Sequence, residues 1–226
     1  MHPMTKPASL REAAPGLFPR SSDRIAALRD RAPREYEART FYYDSVFKTD
    51  AVKLLPGEYY VHDADDLVLM TVLGSCVAAC LFDRTARLSG MNHFMLPDGG
   101  SAGRYGLYAM ELLINELMKR GARRERLEAK VFGGGQVMRN FSTMNVGEQN
   151  VKFVEQFLAA ERITIVSHDV LDIYPRKVCL FPGSARALCK KLASTQSDVI
   201  ATEENLYRGR LAGQPAAATV GSVELF

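Results

Sequence analysis

The chain has 226 residues, enough for one globular domain with terminal extensions. Hydrophobic residues make up 47% of it and charged residues 24%, as in ordinary folded proteins. The net charge of +3 is small and dispersed, so nothing indicates a nucleic-acid partner. No apolar run reaches the ~20 residues of a membrane helix, and the first residues lack the core of a signal peptide, so no membrane insertion is expected.

The four cysteines, Cys76, Cys80, Cys179 and Cys189, form no C-x-x-C pair and have no matching histidine pair downstream. A structural metal site and a disulfide framework are therefore not expected. No cofactor is indicated. A reduced, cytoplasmic protein is the simplest interpretation of this cysteine usage.

Residues 1–40 are predicted to be a flexible N-terminal extension. Recurrent prolines would break a long helix there, and arginines alternate with acidic residues. One short amphipathic helix is predicted over 23–31. A solvated tail is favoured over a docking arm for an acidic partner.

The domain itself is predicted to begin with an aromatic segment at 41–47 and a strand at 57–62. His62 ends that strand and is a candidate base. Because Asp63, Asp65 and Asp66 follow closely, a polar turn residue is the favoured interpretation.

Two apolar runs surround a Gly74-Ser75-Cys76 turn. Residues 66–73 predict a buried strand, Cys76 opens a second strand, and 90–96 predict a third that ends at Pro97. Neighbouring strands joined by a short turn usually pair. Cys76 and His93 are therefore predicted to lie on facing or adjacent strands.

This arrangement has the parts of Cys–His acyl chemistry. A histidine can serve as the base for a cysteine nucleophile, and the N–H groups of a Gly-Ser turn can hold an oxyanion. An apolar-flanked cysteine is, however, more often a core residue, and a histidine between Asn92 and Phe94 is more often half-buried and structural. The residues alone leave both interpretations open.

Further along, Asp98–Gly103 is predicted to be a loop that either borders the substrate site or simply connects two elements. A strand at 127–132 ends in Gly133-Gly134-Gly135 without a G-K-[ST] or G-x-G-x-x-G motif, so a close backbone approach near the site is favoured over a nucleotide site. Hydrophobic spacing predicts the remaining elements. They are a helix over 105–120, a second helix that is capped by residues 145–150 and runs to about 160, and strands over 163–169 and 177–181. Residues 194–226 are predicted to be a loosely ordered C-terminal tail.

The strings LGSCVAACLFD and GMNHFMLPD closely resemble the chemoreceptor glutamine deamidases of bacterial chemotaxis, the CheD family. The likeness continues in LPGEYYV before them, and in RYGLYAMELLINELMKRGARRERLEAKVFGGG, NVGEQN and IVSHDVLDIYPRKVCLFP after them. It covers about 41–192 and implies a deamidase domain over 41–193. The implied fold is α+β, a layered sandwich of packed mixed β-sheets flanked by helices. The resemblance also favours a strand at 185–192.

The resemblance implies that Cys76 is the nucleophile and His93 the base. The family's third catalytic residue is a threonine in the preceding strand, which aligns with Met70, one position before Thr71. Because neighbouring strand residues face opposite sides, Thr71 is expected to point away from the site unless the strand carries a bulge. Thr71 is the candidate for the third catalytic residue, and a backbone carbonyl or another side chain that orients His93 is the alternative.

The implied activity is that of a hydrolase acting on a linear amide, a protein-glutamine glutaminase. Its implied substrates are glutamines in the cytoplasmic helical domains of chemoreceptors, the methyl-accepting chemotaxis proteins, and its implied partner is a CheC-type phosphatase. Two alternatives stay open: a non-catalytic module that binds receptors or the phosphatase, and a different Cys–His hydrolase such as a peptidase or thioesterase. The target glutamines and the oligomeric state are not determined by the sequence.

Overall fold

The computed structural model describes residues 21–32, 34–96, 102–137, 146–193 and 196–213. The helices in these residues are α1 Ser21–Asp30, α2 Ala102–Lys119, α3 Val146–Ala160 and α4 Ser197–Gly213. The strands are β1 Thr40–Asp44, β2 Thr49–Lys53, β3 Tyr59–His62, β4 Leu67–Leu73, β5 Val77–Asp83, β6 Leu88–Asn92, β7 Glu128–Gly133, β8 Thr164–Val170, β9 Arg176–Phe181 and β10 Arg186–Lys191. None of the described helices is both long and apolar enough to cross a membrane.

The strands form two five-stranded sheets, with the orders β1-β2-β4-β9-β10 and β3-β6-β5-β7-β8. Each sheet is mixed, since β2 and β4 pair in parallel, as do β7 and β8, while the other pairs are antiparallel. The predicted α+β sandwich of packed mixed sheets with flanking helices is confirmed.

Strand β5 lies at the centre of the layers. Val77, Ala79 and Leu81 face a core shared with α2 and α3, while Ala78 and Cys80 face a second core shared with the other sheet. Both faces are therefore buried, which explains why the sequence shows a continuous apolar run instead of alternation. The apolar stripe of α2 covers the outer face of this sheet, as its helical spacing predicted.

The structure differs from the sequence-based prediction at both ends of the domain. Helix α1 agrees with the predicted short helix, but it packs against the body through Ile25 and through a bond from Arg29 to the Phe41 carbonyl. Glu37, also within the predicted flexible extension, is buried and paired with Arg31.

The predicted loosely ordered tail contains helix α4. Strand β2, which pairs with β1 and β4, was not predicted at all. Residues 1–20, most of the predicted loop at 98–103 and residues 214–226 lie outside the described part of the chain. The proposed domain boundaries remain a prediction.

Candidate active site

The Gly74-Ser75-Cys76 turn joins the two sheets, because β4 belongs to one and β5 to the other. The turn is held from behind by its carbonyl groups. The Gly74 carbonyl accepts from the Gly135 N–H at 2.7 Å and the Cys76 carbonyl from the Gly134 N–H at 2.8 Å. The Ser75 carbonyl accepts from the side chain of Asn150, on α3, at 2.8 Å. With the carbonyls fixed, three successive N–H groups face the other way, an arrangement suited to an anion.

The close backbone approach predicted for the glycine run is confirmed. Gly133 has φ +110°, and a Cβ built there would overlap the Cys76 carbonyl oxygen. Only glycine fits this position without moving the turn. The glycine run is therefore a support for the cysteine turn.

His93 follows β6 directly and lies beside the cysteine turn. Strands β5 and β6 pair antiparallel, and a further bridge joins Val77 to Phe94, so Cys76 and His93 lie on adjacent segments beside this bridge. The Cys76 sulfur and a ring nitrogen of His93 lie within 4.8 Å of each other. Both are buried, with exposures of 0% and 3%. The predicted proximity of the two residues on adjacent strands is confirmed.

The hydrogen bonds around His93 indicate its tautomer. The Thr71 hydroxyl donates to the Leu54 carbonyl at 2.9 Å, so at 2.7 Å it accepts from the Nδ1–H of His93. Nε2 is then the unprotonated nitrogen, and it is the one buried side-chain polar atom of the described residues without a hydrogen-bond partner. A histidine held in this way has a lone pair ready to accept a proton.

The expectation that Thr71 points away from the site is wrong. Leu69, Thr71 and Leu73 share the inward face of β4, whereas Met70 faces outward and contacts the Tyr42 hydroxyl through its sulfur at 2.7 Å. The alternation along the strand is regular. The geometry thus places the hydroxyl of Thr71, and not the side chain of Met70, beside the His93 ring.

Glu204, on α4, completes the cluster and was not predicted. Its Oε1 accepts from the N–H groups of Gly74 at 2.8 Å and Cys76 at 3.0 Å. Its Oε2 accepts from the N–H of Ser75 at 2.8 Å and from the Ser75 hydroxyl at 2.7 Å. The carboxylate thus fills the site that the sequence assigned to an oxyanion. The sequence contains one signal for this helix, the helical spacing of Ile200, Glu204 and Tyr207. The spacing is recognised only when Glu204 is treated as a residue that faces the protein interior.

Burial controls the ionisation of the site. It raises the pKa of the Cys76 thiol well above its usual value, and the negative charge of Glu204 raises it further. Burial also lowers the pKa of His93 to about 4, against a smaller upward effect of Glu204. In this arrangement thiol and imidazole are both neutral at pH 7.

Cys76, His93 and Glu204 offer ligand atoms within 4.8 Å of one another, the only group of this kind found in the described residues. The donor types would suit zinc. However, both carboxylate oxygens already accept two hydrogen bonds from the turn. The geometry therefore favours a hydrogen-bonded carboxylate over a metal ligand.

The rival base His62 lies elsewhere, as the last residue of β3, with Nε2 2.7 Å from a carboxylate oxygen of Asp66. His62 is therefore a polar residue at the end of a strand, where it pairs with Ser89, and the prediction of a turn residue is wrong. Of the other cysteines, Cys80 and Cys179 are buried in the cores and Cys189 is half-buried; all are free thiols.

The family model for CheD chemotactic sensory transduction matches residues 95–191. A "Probable chemoreceptor glutamine deamidase CheD 1" of Albidiferax ferrireducens is 57% identical over 206 residues, which cover 90% of this chain and 87% of the relative. A "Probable chemoreceptor glutamine deamidase CheD" of Thiobacillus denitrificans is 51% identical over 203 residues, 86% of this chain and 98% of the relative. The chain belongs to the CheD family.

Similarity to solved structures is much weaker. The crystal structure of Neisseria meningitidis protein NMB0706 is 10% identical, with a TM-score of 0.35 over 50% of this chain and 53% of that one. The CheD family assignment rests on the sequence relatives, and the roles of individual residues rest on the geometry of the site.

Proposed function

We propose that this CheD-family protein is a chemoreceptor glutamine deamidase, a hydrolase that converts glutamine side chains to glutamate, with Cys76 as nucleophile, His93 as base and Thr71 as the residue that orients the base. The names of its relatives supply the activity and substrate class. The observation that carries the residue roles is the bond from Nδ1 of His93 to Thr71, which leaves Nε2 unprotonated in a buried cluster with the Cys76 thiol.

The chemistry proceeds in two balanced steps. His93 takes the thiol proton as the sulfur of Cys76 attacks the carboxamide carbon, and the oxyanion forms against the N–H groups of Gly74 and Cys76. His93 then passes the proton to the leaving nitrogen, which departs as ammonia and leaves a thioester. Water, deprotonated by His93, attacks the thioester, and His93 returns that proton to the departing sulfur of Cys76. The carboxylic acid that forms gives its own proton to ammonia and remains as glutamate. The sum is amide plus water giving carboxylate plus ammonium, without a cofactor.

The product differs from the substrate by one negative charge. On a receptor helix that charge changes the repulsion between neighbouring helical turns and helices. A cytoplasmic location belongs to the same proposal and is supported by the cysteine usage of the chain. Regulation by a CheC-type phosphatase also belongs to it and is supported by the family resemblance.

The test is conversion of glutamine to glutamate in a receptor cytoplasmic fragment, mapped by peptide mass spectrometry. The 226-residue wild-type chain should convert specific glutamines, and its Cys76→Ala and His93→Ala variants should not. Binding of the fragment without conversion, by the wild-type chain and by every variant that keeps Cys76 and His93, would overturn catalysis and favour a binding module. Release of a peptide fragment instead of ammonia would identify a peptidase.

A further inference from the structure

The docked C-terminal helix is incompatible with the proposed reaction. A substrate carbonyl needs the N–H groups of Gly74 and Cys76, and Glu204 occupies both. Cys76 is fully buried and His93 nearly so. Glu204 must therefore leave before a glutamine can enter.

Glu204 has the chemistry of the reaction product. It is a glutamate side chain on a helix, and its two oxygens accept from three N–H groups and one hydroxyl. A glutamine side chain in the same place would set its amide NH₂ against the N–H of Ser75, donor against donor. The turn is thus more complementary to a carboxylate than to an amide, and more complementary to product than to substrate.

The rest of α4 is attached to the body by few contacts. Ile200 is its one buried hydrophobic residue among those described, and Tyr207 is partly buried against the second core. Val199 and Leu206 are 65% and 62% exposed. The hydroxyl of Tyr207 bonds that of Tyr105. A cleft of about 560 Å³ remains between α4 and the segment 53–58. Little apolar area holds the helix down, so its docking depends strongly on the single carboxylate.

We propose that α4 is an autoinhibitory helix that mimics the product: Glu204 sits where a newly formed receptor glutamate sits, and a glutamine-bearing receptor helix replaces α4 in the same groove. This rests on the proposed deamidase function. The receptor helix then presents its glutamine where α4 presents Glu204. The receptor residue one helical turn after that glutamine takes the place of Tyr207, beside Gly57 and Tyr105.

The electrostatics agree with the geometry. With α4 in place, burial and the charge of Glu204 keep the pKa of the Cys76 thiol high. When the helix leaves, water enters and that charge moves away, so both influences that disfavour the thiolate diminish. Undocking therefore opens the site and activates its nucleophile.

The first test compares full-length wild type, Glu204→Ala and the matched control Glu203→Gln on the receptor fragment. Glu203 is the exposed neighbour of Glu204, and it is the carboxylate of Glu204 that accepts the hydrogen bonds from the cysteine turn. We expect Glu204→Ala to raise kcat/KM about ten-fold or more, because docking loses four hydrogen bonds to a charged group, and Glu203→Gln to leave it unchanged. Equal rates for all three, with thermal unfolding showing that all are folded, would overturn autoinhibition.

The second test uses Glu204→Gln, which turns the product mimic into a substrate. Cys76 should hydrolyse the introduced amide to a carboxylate within the same chain, at a rate independent of protein concentration, since the tether gives a high effective concentration. Peptide mass spectrometry would show the conversion, and adding Cys76→Ala should preserve the amide. Retention of the amide by a variant that converts the receptor fragment would overturn the product-like pose. Failure of every variant on the receptor fragment would instead refute the deamidase function.

Discussion

At the scale of single residues, the hydroxyl of Thr71 decides how the base is presented. It cannot donate to His93, because its proton is committed to the Leu54 carbonyl. It must therefore accept from Nδ1–H, which leaves the lone pair on Nε2. The hydroxyl of Thr71 thus selects the imidazole tautomer on which the proposed proton transfer depends.

Replacing Thr71 by valine should lower kcat on the receptor fragment by on the order of 10²-fold, because the base is no longer held in one tautomer and orientation. KM should change little, since the substrate groove is untouched. Steady-state rates over a range of receptor-fragment concentrations would separate the two constants.

The matched control is Thr71→Ser, which keeps the hydroxyl. It should retain most of the activity if the hydrogen bond is what matters. Equal losses in the serine and valine variants would show that the methyl group, and hence packing, is the important feature.

At the scale of secondary structure elements, the cysteine turn depends on segments far along the chain. The glycine run after β7 bonds the carbonyls of Gly74 and Cys76, and Asn150 from α3 bonds that of Ser75. Asn150 also accepts from the Leu96 N–H at 2.9 Å, beside the segment that carries His93. One helix therefore holds both halves of the site in place.

Left-handed backbone alone costs a residue with a Cβ about 1–2 kcal/mol. Gly133→Ala should lower the free energy of unfolding by more than this amount. The added carbon would overlap the Cys76 carbonyl oxygen, which is backbone and cannot rotate away. Urea unfolding gives the free energy of unfolding, and activity should fall together with it because the turn is displaced.

Gly121→Ala is the control for this substitution. Gly121 has a similar φ of +104°, but an added Cβ would meet nothing within 4 Å. It should show the backbone cost without the clash and should leave activity intact. Equal destabilisation by the two substitutions would contradict the clash.

At the scale of the whole molecule, burial of the site links folding to pH. His93 has a pKa of about 4 in the closed fold against an ordinary value of 6.5. Between these two values the unfolded chain binds a proton that the folded chain does not, so stability rises with pH there. Lowering the pH from 6.5 to 4 should therefore destabilise the fold by on the order of 3 kcal/mol from this residue.

Thermal unfolding across this pH range would measure the effect, with His93→Gln as the comparison. The variant should show a shallower dependence on pH, whatever its stability at pH 7. Arg126 and neighbouring N–H groups outweigh burial and lower the pKa of Asp83 from 3.8 to about 2. The stabilisation that Asp83 provides is therefore lost as the pH falls from 3.8 towards 2, below the range in which His93 acts. A pH dependence unchanged by His93→Gln would assign the destabilisation to other groups.

Most elements were predictable because their residues carry local patterns. The helical repeat of α2, the continuous apolar run of β5 and the glycines after β7 each reflect a short-range rule. Strand β2 was missed because T-D-A-V-K shows neither alternation nor a long apolar run; it is a strand because β1 and β4 pair with it. Helix α4 was missed because it has no apolar stripe.

The pairing of Cys76 with His93 followed from the sequence, since the turn between their strands is short and such strands pair. The sequence did not predict that the Thr71 side chain faces His93, or that the Glu204 carboxylate lies in the site. The first depends on which face of β4 meets the other sheet, and the second joins residues about 130 positions apart through a carboxylate in a site made of backbone N–H groups. Backbone groups leave no mark in the sequence, so only the folded chain shows that the site is occupied by its own glutamate.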